Sequence, residues 1–94
     1  MSTIPKQRNG SVIINTTGTT YAVFTTLADI RTMFNDNTII APNVTVSVTN
    51  GDFDANAKWI VGTAWQGNNL MLRFDSNATG AMRVNYEISI SKNN

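Results

Sequence analysis

Trp59-Ile60-Val61-Gly62-Thr63-Ala64-Trp65-Gln66-Gly67-Asn68-Asn69-Leu70-Met71-Leu72-Arg73-Phe74-Asp75 runs on through residues 76–80 to Ala81-Met82-Arg83-Val84-Asn85-Tyr86-Glu87-Ile88-Ser89-Ile90, and this stretch decides the fold class. Leu70, Leu72 and Phe74 alternate with Met71, Arg73 and Asp75; Met82, Val84, Tyr86, Ile88 and Ile90 alternate with Arg83, Asn85, Glu87 and Ser89. A period of two with one apolar face marks half-buried antiparallel strands, whereas parallel strands covered on both faces read as continuous apolar runs. The stretch therefore predicts three strands joined by two polar, glycine-containing turns.

Working outward, Val44, Val46 and Val48 alternate with Thr45, Ser47 and Thr49, and Asn50-Gly51-Asp52 closes that strand with a turn signal. Pro42, preceded by Thr38-Ile39-Ile40-Ala41, suits an edge or an entry into it. Ser11-Val12-Ile13-Ile14-Asn15 and Thr20-Tyr21-Ala22-Val23-Phe24-Thr25 flank a Thr/Gly turn and predict a hairpin with Gly18 at a position wanting positive φ. Between these regions the period changes. Leu27, Ile30 and Phe34 fall on one helical face, Thr26 stands at the N-cap with Asp29 three residues on, and Asn35-Asp36-Asn37 ends the run. Two helical turns are too short to stand alone, so this helix must pack onto the sheet. The expected fold is all-β: a small antiparallel barrel or sandwich of six to seven strands with one short helix near residues 27–34. Residues 1–10 lack apolar periodicity and read as an arm or linker; residues 11–94 read as a single domain.

Composition narrows the function. The 94 residues carry a net charge of +1, with seven Lys/Arg, six Asp/Glu, no His and no Cys. Near-neutrality argues against a dedicated nucleic-acid or anionic-membrane binder, and no run approaches the ~20 apolar residues of a membrane helix. Without Cys there are no disulfides and no thiolate chemistry. Without His or Cys, every Ser-His-Asp, Cys-His and His-metal arrangement is excluded. A carboxylate pair about 5–10 Å apart would be needed for glycoside hydrolysis, and Asp52 and Asp54 sit beside a turn in a chain too small for a deep cleft. The segment Asp52-Phe53-Asp54-Ala55-Asn56 begins like a calcium loop, but Ala57 stands where Gly is required and Thr63 where Glu is required, so no metal and no cofactor is expected. The charge missing from the surface is replaced by thirteen Thr and thirteen Asn, a neutral array of donors and acceptors. The expectation is a binding protein and not an enzyme.

Trp59 and Trp65 are six apart, so a regular strand would turn them to one side. Trp59 is expected in the core. Trp65, at a strand end beside Gln66-Gly67-Asn68-Asn69, reads equally as core or as the apolar platform of a sugar site with amides nearby. Arg73, Asp75, Arg83, Asn85 and Glu87 share the polar faces of the last two strands; if these strands pair, cross-strand ion pairs result. Tyr21, Trp65 and Tyr86 could instead serve as stacking platforms for a single nucleic-acid strand, a reading that the neutral charge opposes.

At Leu70-Met71-Leu72-Arg73-Phe74-Asp75-Ser76-Asn77-Ala78-Thr79-Gly80-Ala81-Met82-Arg83 the chain resembles the C-terminal head domains of receptor-binding proteins from tailed phages, especially those infecting lactococci. Ile60-Val61-Gly62, with Trp59 and Trp65 nearby, is similar to the segment preceding it in that family, and the likeness covers roughly the last 35 residues. The resemblance implies a β-barrel head that assembles as a homotrimer on the virion, at the tail tip or baseplate, and binds host cell-wall saccharide. It also implies attachment to other baseplate proteins through the N-terminal arm. The family's acid before the turn is matched by Asp75; its neighbouring His is replaced by Arg73 or Met71, and its Trp after the turn by Val84 or Asn85. The expected saccharide-binding residues are Trp65, Gln66, Asn68, Arg73, Asp75 and Arg83. The alternative is a non-enzymatic structural virion or baseplate protein that makes protein–protein contacts only.

Overall fold

A computed structural model describes residues 6–15, 19–52, 59–75 and 80–91. Their order is β1 (Lys6–Asn15), β2 (Tyr21–Thr26), α1 (Leu27–Phe34), a 3-10 turn (Ala41–Asn43), β3 (Val44–Asn50), β4 (Ile60–Gln66), β5 (Asn69–Phe74) and β6 (Ala81–Ile90). The strands form two three-stranded antiparallel sheets: a long one ordered β1-β6-β3 and a short one ordered β2-β5-β4. The chain is all-β, a sandwich with six strands among the described residues and its helix at the expected place. No described helix is long and apolar enough to cross a membrane.

Strand length explains where the helix sits. Ten residues of β6 span about 33 Å, whereas six residues of β5 span about 20 Å, so the short sheet covers only part of the long one. The eight-residue helix, about 12 Å long, covers the remainder. Two adjoining cores result. Ile14, Val84, Leu72 and Phe74 meet between the sheets, and Leu27, Ile30 and Ile39 cover Ile88 and Ile90 under the helix. Phe24 packs against both clusters.

The helix owes its limits to local chemistry. Thr26 Oγ1 accepts the Asp29 N–H at 3.1 Å, and Asn35 closes the other end in the left-handed region at φ 52°. The first free N–H, that of Leu27, donates to the Asn68 carbonyl at 2.8 Å, which docks the β4–β5 turn on the helix. That turn has positive φ at Gly67 alone of its two central residues, the type II′ pattern that suits a two-residue hairpin.

Two pairings and the bounds of the N-terminal arm differ from the sequence expectation. β1 and β2 form no hairpin; they lie in different sheets, each joined to a central strand, and Gly18 lies outside the described residues. β5 and β6 do not pair either, because the chain crosses between the layers after Asp75. Alternation specifies which face of a strand is buried, but not which strand lies beside it. The arm reading also gives way in part: β1 begins at Lys6, and Lys6 to Asn15 pair in unbroken register with Ile90 to Ala81. Lys6 and Arg8 face inward on this edge strand yet remain exposed, and inward-pointing charge discourages edge-to-edge association.

Gly10 makes room for Tyr86. The Tyr86 ring lies across β1 directly over Gly10, where a Cβ would come within 2.6 Å of Tyr86 Cζ. The ring also packs edge-on against Phe24, with centroids 5.4 Å apart. Gly10→Ala should therefore destabilise the domain by about 1–3 kcal/mol, the cost of overpacking, measured as a lower urea midpoint at unchanged slope. An equal or higher midpoint would show that the ring moves aside freely.

Candidate functional site: a groove on the short sheet

The outer face of the short sheet is built in rows. Tyr21, Arg73 and Gly62 lie side by side, and Val23, Met71 and Ala64 form the next row. The outward positions of edge strand β4 thus carry little bulk, and this opens a trough along it. An ideal Cβ added at Gly62 meets nothing within 4 Å. The resulting groove, about 620 Å³, is walled by Tyr21, Met71, Arg73, Trp65 and Gln66 along with the β4 backbone.

Tyr21 is 56% exposed, so much of its side chain is accessible in the groove wall. Arg73 is exposed, and among the described residues its side chain makes no ion pair or hydrogen bond. Gln66, exposed at the end of β4, adds an amide. Val23 and Val61 are exposed apolar groups on the same sheet, Val61 belonging to the groove wall. The groove thus offers an aromatic face, one positive charge and neutral donors and acceptors, with no carboxylate among the described residues of its wall. It is suited to holding a ligand. Among the described residues no cluster of three His, Cys, Asp or Glu could hold a metal ion.

The groove gathers Trp65, Gln66 and Arg73 from the expected set. Trp65 pairs with Leu70, turns inward and is half-buried against the helix-side core, so it is both core and wall. The other three are elsewhere. Asn68 lies in the β4–β5 turn and acts through its carbonyl on the helix. Asp75 holds the start of β4: its Oδ1 accepts the Trp59 N–H at 2.8 Å, and its own N–H donates to the Trp59 carbonyl at 3.1 Å. Arg83 is on the long sheet, where its Nε approaches Asp52 at 3.5 Å and its Nη1 donates to Ser11 Oγ at 3.4 Å. The expected ion pairs of Arg73 and Asp75 with β6 are therefore absent, since the two strands belong to different layers.

Trp59 is 40% exposed and not core. A bulge between Ile60 and Gly62 inserts one residue into the ladder, which breaks the two-residue parity assumed for Trp59 and Trp65. Tyr86 is packed inward over Gly10, so Tyr21, Trp65 and Tyr86 do not share an open face and the single-strand platform is not formed. Sequence reasoning left Tyr21 out of the expected set and did not single out Gly62 and Ala64, which form the trough of the groove. The available signal was a glycine inside a strand, a mark of close approach by a ligand or backbone.

No protein-family model, curated protein or solved structure matches the chain. The site stands on its own geometry.

Proposed function

We propose that this chain is a non-catalytic recognition domain that holds a host cell-surface saccharide in the groove of the short sheet. In this reading it is the head of a tailed-phage receptor-binding protein: a homotrimer on the virion, attached to other baseplate proteins through its N-terminal segment. The observation that carries the binding role is the exposed ring of Tyr21 beside Arg73, which has no ion-pair partner among the described residues, and Gln66, over a trough emptied by Gly62 and Ala64. Sugar C–H groups pack on an aromatic face while neutral and cationic donors take the hydroxyls. The neutral Thr- and Asn-rich composition and the resemblance of the closing strands to phage head domains support the setting. Three copies, each binding weakly, would gain strength by multivalency.

Titration calorimetry of the assembled protein with host cell-wall polysaccharide tests this role. Binding is expected, and Tyr21→Ala should weaken it by about 0.5–1.5 kcal/mol, the worth of an aromatic contact beyond its buried area. Absence of binding by the assembled protein would overturn it.

A second reading has its own support. Val23 and Val61, 46% and 62% exposed, make the short sheet's outer face partly apolar, as suits a structural virion protein that only contacts other proteins. That reading predicts a stable hetero-complex and indifference to sugars.

A further inference from the structure

The long sheet carries a second groove, of about 340 Å³, on the side of the molecule away from the first. Its centre is Glu87, on the outward face of the middle strand β6. Asn9 of β1 lies directly opposite on one side and Ser47 of β3 on the other; the next row holds Ser11, Asn85 and Thr49. Directly opposed residues place their Cβ atoms about 5 Å apart, so one carboxylate stands in a field of neutral amides and hydroxyls. Glu87 is exposed, and it makes no ion pair or side-chain hydrogen bond among the described residues. The nearest cation along the strand, Arg83, is held between Asp52 and Ser11 and forms no ion pair with Glu87 among the described residues.

We propose that this face is a second binding site, selective for a ligand that carries a protonated amine on a hydroxyl-rich frame, the chemistry of an amino sugar. Charge complementarity selects the ammonium: Glu87 accepts its N–H bonds, and charge-assisted bonds are the strong ones. The flanking side chains of Asn9, Ser47, Asn85 and Thr49 supply both donors and acceptors for hydroxyls, as their inventory allows. The carboxylate is open to water and one of a kind here, so binding is weak and salt-sensitive. The site is independent of the groove on the short sheet, and neither proposal needs the other.

The test is a nuclear magnetic resonance titration of the full chain, following backbone amides with D-glucosamine at slightly acidic pH and with N-acetyl-D-glucosamine, which has the same ring without the charge. Shifts confined to Asn9, Ser47, Asn85 and Glu87 are expected with glucosamine, at roughly millimolar affinity, and about fivefold weaker with the acetylated sugar. Glu87→Gln should remove that preference. Ser47→Lys, which supplies an internal ammonium opposite Glu87, should abolish glucosamine binding. Equal binding of the two sugars, a preference that survives Glu87→Gln, or no shifts at these residues would each overturn the proposal.

Discussion

Gly62→Val is expected to fold at least as stably as the parent chain and to bind cell-wall saccharide about fivefold or more weakly. The stability half follows from the backbone. Gly62 is not in the left-handed region, and a Cβ there meets nothing within 4 Å. A glycine in a strand interior costs about 0.5–1 kcal/mol relative to alanine, and a β-branched residue suits a pleated, half-exposed surface better still. The binding half follows from volume. Gly62 lies in the same row as Tyr21 and Arg73, so an isopropyl group fills the trough beside the two groups proposed to hold the sugar. Forcing a ligand against that bulk costs about 1–3 kcal/mol, and each 1.4 kcal/mol is about tenfold in affinity. Urea unfolding and calorimetric titration of one preparation read both halves. A stable variant with parental affinity would move the saccharide off the short sheet.

Leu72→Ala should have the largest effect on stability. Leu72 is 0% exposed at the middle of β5, the central strand of the short sheet, and packs with Ile14, Phe74 and Val84 between the layers. Both neighbouring strands are held by β5, so the cavity cannot close by shifting an edge. Leu→Ala at such sites costs about 2–5 kcal/mol, a large fraction of the ~5–15 kcal/mol that holds a typical domain together. The melting temperature of a domain this small should fall by roughly 4–8 °C per kcal/mol, read by circular dichroism. A loss under about 1 kcal/mol would mean that Leu72 does not bridge the two layers.

The face of each strand was legible in the sequence, because burial on one side imposes a period of two. Val44, Val46 and Val48 turn inward, and Leu70, Leu72 and Phe74 are buried between the layers, as alternation requires. The helix was legible for the same reason, its change of period being reinforced by Thr26 and Asn35. Partnership was not legible. Ile14 and Val23 carry the same β-forming character, yet one strand joins β6 and the other β5. The site was half legible: Trp65, Gln66 and Arg73 converge because β4 and β5 are a true hairpin. Asp75 drops out because it is bonded to the Trp59 backbone at the start of β4, and Arg83 because β6 belongs to the other layer. One bulge at the start of β4 was enough to expose Trp59.

The amino acids alone determine an all-β chain with a capped helix, a neutral polar surface and no His- or Cys-based chemistry; these follow from local periodicity, capping and composition, each set within a few residues. Which strands share a sheet, where Gly62 leaves a trough under Tyr21, and why Glu87 stands without a counter-ion among the described residues were decided only by tertiary structure. Those features join residues distant in the chain, and their neighbours are set by how the whole molecule best buries ten-residue strands under six-residue ones and a helix.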